Sequence, residues 1–530
     1  MERFYILNDT KMLKWSYKNK VERRLAITGI LLFCIICGVS LFVFSNSFVS
    51  AEITPKWLGM MISVGLAGIT WSMLNGKISF YVKPLVLFIC CFLFIFVRKW
   101  ITSDFNTPLL IYLCGLLLLC LIVKQIVNDC KHQYLLGTVI VFALALSVQV
   151  ILQYIGLLPF GKNNFPVTGN FDNPAGFSAA LVCALPLCFL FLKHEKRYLR
   201  YAVMVAATLM AIAVFLSGSR AGIMAVAVAA TIWLLSQSKF TYTEHLRNIN
   251  KKTKNFLTIV LLCALPFVLY FIKKDSADGR LLIWQCSLNM VVDKPLFGHG
   301  YGAFQAKYML YQAEYMNAHP ESRFVSLADN VLHPFNEYLL LLTEHGLTGL
   351  SLVFLLGFFL FRAYRRKPDN EKLSAMISLL ALSVFSFFSY PFRYPFTWVL
   401  LFLNVAIIYN NSEANIFSFN TFFKKRFVFS KTYPQTITIL LYIGLLTYSV
   451  ILTRAEMTWK RVARFSLEMY YLNMRNYTGG LARTFFFCII TPLNCIKQRS
   501  LKKVLQFLNI VYVITMTWMY KCFWQPITKN

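Results

Sequence analysis

The sequence predicts an all-α protein: a polytopic membrane helix bundle of about 12–13 transmembrane helices with one large, partly helical loop on its outer face. Three observations carry that expectation. Apolar runs of about 17–25 residues, enough to cross a hydrocarbon core of roughly 30 Å, recur along the chain. Of 530 residues 58% are hydrophobic and only 14% charged, where soluble globular domains run near one quarter charged. Lys and Arg gather in short clusters between the runs, as orientation signals do.

In chain order, spans are expected near 25–45, 57–75, 82–98, 107–123, 135–158, 175–192, 199–217, 220–236 and 254–272, then 338–362, 373–390, 394–410 and 435–453. The first follows a basic segment (Lys11, Lys14, Lys18, Lys20, Arg23, Arg24) without a small-residue cleavage site after it, so it reads as a retained span. Residues 1–24 are then cytoplasmic, and 25–453 form the membrane domain. The same parity puts the basic loops at 193–200, 239–254, 361–372 and 410–434 on the cytoplasmic side. Segments 161–176, 217–222, 273–335 and 389–395 fall outside, and they hold the unusual polar residues.

The net charge of +31 does not indicate nucleic acid, because no separate basic module carries it. The 14 cysteines lie mostly inside apolar runs. Cys34 and Cys37 form a CxxC with no second pair and no nearby histidine, which reads as helix packing rather than a metal or redox site.

The outer segments supply the candidate site. Arg220, in Ser217-Gly218-Ser219-Arg220-Ala221-Gly222, opens a helix at its positive end beside small residues. Two readings stand: an arginine snorkelling to headgroups, or one placed for an anionic phosphate. Arg280 and Trp284 lie i, i+4 in GRLLIWQCSLNMV, either as a stacked pair or with Arg280 turned to a phosphate. Gly298, Gly300 and Gly302 lack the strand–turn–helix setting of a nucleotide loop and read as a close-packing turn, with His299 inside it. His333, Asn336 and Glu337 open the tenth span, as a helix cap or as the mouth of a polar cavity with a histidine base. Asn173 precedes a proline at a helix start, and Arg393 sits among prolines and aromatics. No third ligand joins His333 and Glu337, so no metal is expected.

At these residues the chain resembles the O-antigen ligase and polymerase superfamily. The matching text is TGNFDNPAGFSAALVCALPL, FLSGSRAGIMAV, GRLLIWQCSLNMVVDKPLFGHGYGAF and FNEYLLLLTEHGLTGL, in family order, across roughly residues 130–410. The resemblance implies a glycosyltransferase that takes a glycan from an undecaprenyl-diphosphate carrier at the periplasmic face of the bacterial inner membrane. The acceptor is lipid A–core or another glycan; the mechanism is inverting, with no cofactor and no metal. Its partners are the carrier-linked glycan, the acceptor and membrane lipids, with no nucleic acid. By the same resemblance Arg220 and Arg280 grip the diphosphate and a loop histidine orients or deprotonates the acceptor, with Asn173, Trp284, Asn336, Glu337 and Arg393 around the substrate. The family commonly shows His-Asn before the Leu-rich helix; here Phe335 precedes Asn336, and His333 stands two residues earlier.

A polymerase or a protein O-oligosaccharyltransferase is the alternative within this chemistry. A lipid-linked glycan transporter is the alternative outside it, but it would favour paired halves and mid-membrane ionisable groups. Residues 454–530 carry 12 Lys and Arg against 2 Asp and Glu. They are expected as a periplasmic tail: a helix leaving the membrane, then a truncated or out-of-frame remnant of a helical-repeat domain.

Overall fold

The computed structural model describes residues 2–74, 107–159, 165, 167–236, 270–271, 274–410 and 432–476. The helices are α1 (Glu2–Phe42), α2 (Thr54–Leu74), α3 (Thr107–Asp129), α4 (His132–Tyr154), α5 (Pro174–Phe191), α6 (Arg197–Leu216) and α7 (Arg220–Ser236). There follow α8 (Lys274–Asp293), α9 (Ala303–Ala318), α10 (Glu337–Arg366), α11 (Asn370–Phe388), α12 (Pro395–Tyr409) and α13 (Thr432–Asn476). Among the described residues nine helices are long and apolar enough to cross a membrane, with α7 and α12 shorter but equally apolar. The protein is a multi-pass membrane helix bundle. Eleven of the thirteen expected spans coincide with these helices; 82–98 and nearly all of 254–272 lie outside the described residues.

The bundle is built around α5. Its sequence PAGFSAALVCALPLCFLF alternates small residues with large apolar ones, and 16 of its 18 residues are buried. In lipid, helix association gains little from hiding apolar surface, so close approach through Ala, Gly and Ser decides which helix is central. α5 packs against α4, α6, α7 and α11. By contrast α6 leaves Tyr198, Tyr201, Met204, Val205, Ile212 and Phe215 exposed, as a lipid-facing helix must.

Alternating helix directions give the bundle two unlike ends. At one end His132 bridges Glu371 and Asn410, each at 2.6 Å, tying α4, α11 and α12 together. The basic loop at 193–200 and the Arg362–Lys367 cluster are at this end. At the other end lie the starts of α2, α3, α5 and α7 and the whole α8–α9 excursion. Lys56 of α2 donates there to the Asn170 and Glu52 carbonyls, and Trp57 Nε1 donates to the Arg393 carbonyl at 2.9 Å.

The expected tenth span is not one helix. α10 breaks at Gly346 (φ 65°, ψ −164°), leaving a short Glu337–His345 helix and a separate apolar one after it. The backbone groups freed by the break are taken up by Pro295–Gly300. His299 and Gly300 donate to the Thr343 and Glu344 carbonyls, both at 2.8 Å, and Leu347 and Thr348 donate to Pro295 and Leu296 at 2.8 and 3.1 Å. Such satisfaction by neighbouring chain is what makes a broken helix tolerable near hydrocarbon. It also explains two glycines: a Cβ on Gly346 would lie 2.5 Å from the Leu296 backbone, and one on Gly298 2.5 Å from that of Glu344. The Glu344 carboxylate completes the joint by accepting from Gly302 N at 2.8 Å, where α9 begins.

Beyond the expected span 435–453, α13 continues without interruption to Asn476. Its 45 residues make a rod of roughly 65 Å at 1.5 Å per residue, twice the hydrocarbon thickness. It returns to the site end, where Lys460 donates to the Phe48 carbonyl. Of the tail expected over 454–530, residues 477–530 lie outside the described residues.

Candidate functional site

Two arginines on separate elements meet where the α8–α9 excursion lies over the bundle. The first is set by the tight turn before α7. Ser217 Oγ accepts from Ser219 N at 3.0 Å and Ser219 Oγ from Gly222 N at 3.2 Å, so hydroxyls satisfy the amides that open α7. Gly222 lies directly against Ser178 of α5, with no room for a Cβ, which fixes the turn to the central helix. Arg220 then points into the excursion and donates from Nη2 to Ser276 Oγ at 3.0 Å.

Arg280 stands one helical turn after Ser276 on α8. It donates from Nη1 to the Phe388 carbonyl at 2.9 Å and lies over the Phe335 ring, 4.9 Å from its centroid. Burial, and then the neighbouring Arg220 charge, bring this guanidinium down to about 10. Two cations held together with one of them partly desolvated form a prepared place for an anion.

A second cluster adjoins the first through Phe335 and Tyr390. Phe335 holds φ 54°, a left-handed conformation costly for a bulky side chain, and meets Tyr390 edge-on at 5.3 Å. His333 stacks on the same tyrosine at 4.9 Å with planes 24° apart. Burial, and then the Arg393 charge, lower the imidazole to about 4, so it is neutral at physiological pH. Arg393 lies over Tyr390 at 5.8 Å and pairs with Asp172 at 3.4 Å, whose other oxygen accepts from the Tyr394 hydroxyl at 2.9 Å. The Tyr390 hydroxyl is pushed up, first by burial and next by Asp172.

The remaining expected residues take up positions around this core, two of them as helix caps. Asn173 caps α5, accepting from Ala175 N at 2.9 Å, and so holds Asp172 beside it. Asn336 caps α10 by accepting from Tyr338 N and Leu339 N at 3.0 and 3.1 Å. Glu337 accepts from Phe392 N at 3.1 Å, fixing the turn that carries Arg393. Trp284 is not stacked on Arg280: its indole donates to the Pro334 carbonyl at 2.9 Å and packs edge-on against Phe387. The i, i+4 pair therefore splits, Arg280 taking Phe335 as its ring and Trp284 positioning the turn that carries it.

Tyr390, Asp172, Phe335 and Ser276 belong to the arrangement and were not singled out as site residues. The sequence offers a faint signal for Asp172 alone, an acidic residue in an outer loop otherwise rich in asparagine and glycine. Its partner Tyr394 is 222 positions away, a juxtaposition only the packing of α5 against α11 and α12 creates.

Known proteins resemble part of the chain. The O-antigen ligase family profile matches residues 205–354, which run from α6 through both arginines and past the break in α10. A protein of Rickettsia typhi named as a polysaccharide ligase is 31% identical over 105 residues, 20% of this chain and 24% of the relative. The chain thus spans about a quarter of that relative's length in the match. With its four motifs in order around one excursion, the chain is a multi-pass membrane protein that is similar, over residues 205–354, to the O-antigen ligase family.

Proposed function

We propose that the protein is a ligase-type glycosyltransferase that moves a glycan from an undecaprenyl-diphosphate carrier to lipid A–core at the periplasmic face of the bacterial inner membrane. The observation that carries this reading is the meeting of Arg220 and Arg280 across Ser276. Charge on the diphosphate grows as the bond to the sugar breaks, and two guanidiniums already in place stabilise that charge without reorganisation. The acceptor hydroxyl attacks the anomeric carbon, the carbon–oxygen bond to phosphate breaks with its electron pair, and the configuration inverts.

The proton of the attacking hydroxyl goes to His333. A neutral imidazole has the lone pair to accept it, and the cation that depresses its basicity is Arg393. Burial is the larger cause of the low value and Arg393 the smaller, so an arriving diphosphate that offsets Arg393 raises the imidazole part of the way back. The guanidiniums take the charge-neutralising role that a divalent ion fills in many phosphoryl sites, so transfer is expected to continue in excess EDTA.

The test is genetic and chemical together. A deletion strain should accumulate long glycan on the carrier and none on lipid A–core; single-unit caps would instead indicate a polymerase. Complementation with Arg220→Ala or Arg280→Ala should restore protein in the membrane but not transfer, with a loss of about a hundredfold or more. A fully active double variant would refute the mechanism.

A further inference from the structure

The α8–α9 excursion exposes large apolar side chains that neither the bundle nor α9 covers. One side of α8 packs Leu282, Ile283, Cys286 and Met290 against Phe304 and Tyr308 of α9. A second side carries Arg280 to the Phe388 carbonyl and Trp284 to Pro334 and Phe387. Leu281, Leu288 and Val292 are on neither. At about 100° per residue they fall within roughly 40° of one another, and all three are exposed, Val292 at 76%. The row runs on into the turn after α8, where Leu296 is 59% and Phe297 56% exposed. Single exposed apolar residues are ordinary on any surface, but a contiguous row of large ones marks a partner.

The placement of α8 says which partner. After its break α10 runs from Leu347 to Arg366, a rise of roughly 30 Å at 1.5 Å per residue, the thickness of the hydrocarbon core. Leu347 and Thr348 therefore mark one hydrocarbon boundary, and their amides donate to the Pro295 and Leu296 carbonyls at 2.8 and 3.1 Å. Leu296 and Phe297 are thus seated at that boundary. Leu347, Phe354 and Phe358, on one side of α10 by their spacing, form the exposed apolar surface that leads up to them. The opposite end of α8 is held level with this corner. Ser276 accepts from Arg220, the first residue of α7, and Arg280 donates to Phe388, the last of α11. Tied to span ends at both of its own ends, α8 lies along the membrane surface instead of standing away from it.

Polar residues border the row as they do on interfacial helices. Gln285 and Asn289 are exposed along its edge. Lys294 is exposed between Val292 and Leu296, on a stem long enough to reach headgroup phosphates. Tyr301, exposed past the turn, is of a type enriched where membrane meets water. Asp293, which headgroup phosphates would repel, is engaged by the Tyr311 hydroxyl of α9.

We propose that Leu281, Leu288, Val292, Leu296 and Phe297 form a lipid-docking surface, and that α8 floats at the acyl–headgroup boundary of the leaflet on the site side. The partner is the bilayer itself. An amphipathic helix seated there holds Arg280 at headgroup depth and opens the site sideways to the leaflet, whatever anion the arginines bind. The surface therefore stands independently of the diphosphate reading.

The test uses the full chain in nanodiscs of phosphatidylethanolamine and phosphatidylglycerol. The photo-crosslinking residue p-benzoylphenylalanine replaces Val292, Phe297, Phe354 or Glu321, one at a time. Phe354, on the exposed side of α10, is the lipid-facing control, and Glu321, exposed in the polar turn after α9, is the water-facing one. Intact-mass spectrometry after irradiation reads what each position has captured. Val292 and Phe297 should each give a phospholipid adduct at about a third or more of the yield at Phe354, and Glu321 less than about a tenth. Leu288 serves in place of either position if that variant does not elute as the unaltered protein does. Absence of the lipid adduct at either position while Phe354 reacts would overturn the proposal. So would a crosslink from either to a second copy of the chain or to another segment of the same chain.

Discussion

At Arg280 the guanidinium is divided between a structural role and the proposed chemical one. One nitrogen is committed to the Phe388 carbonyl and the plane rests on Phe335. Lysine has neither the fork nor the flat face, so Arg280→Lys is expected to keep less than a tenth of the activity although the charge is preserved. His333 makes a pH prediction of definite sign. Its folded value near 4 is below the ordinary value of 6.5, so the unfolded chain takes up the proton first. Stability therefore declines as pH falls from about 6.5 towards 4, and His333 exacts no such penalty above that window. In kcat/KM, which reports the free enzyme, the acid limb due to His333 should lie below pH 5 and disappear in His333→Asn. An acid limb near pH 6.5 would place a different group in the role.

At the scale of elements the decisive feature is the joint between the broken α10 and Pro295–Gly300. Gly346 has a conformation closed to other residues and a backbone neighbour where a Cβ would go. Gly346→Ala should lower stability by about 2–4 kcal/mol, seen as a lower melting temperature in detergent. Asn336→Ala removes one N-cap and should cost about 1 kcal/mol, a far smaller shift. The comparison separates a fold-setting joint from an ordinary helix start. It also shows why the hydropathy of residues 338–362 could not reveal the break. A glycine in an apolar run has the same hydropathy whether the helix passes through it or stops there. The FGHGYG turn that fills the gap lies about fifty residues earlier in the chain.

Across the described residues, the basic loops at 193–200 and 361–372 and the polar site occupy opposite ends. Reagent access tests that separation and its assignment to sides of the membrane. His319→Cys, at the exposed end of α9, should react with a membrane-impermeant maleimide in intact spheroplasts. Glu195→Cys, in the exposed basic loop, should react only after permeabilisation. The reverse pattern would put the site on the cytoplasmic side and exclude a periplasmic transfer.

What the sequence alone determined is the class of protein, a multi-pass membrane helix bundle, and it named Arg220 and Arg280 as candidates. Hydrocarbon imposes length and composition on every span, and orientation is written in local basic clusters, so both survive in one dimension. Arg220 and Arg280 were legible for the same reason, as charges where charge is costly. Tertiary structure decided their company. Packing of α5 through its small residues brings Asp172, Tyr390 and Arg393 together. The break at Gly346 seats the glycine turn, and Phe335 rather than Trp284 lies under Arg280. These are contacts between segments far apart in the chain, made by residues whose types are common in any membrane protein. Their meaning is carried by position in space, which no local pattern encodes.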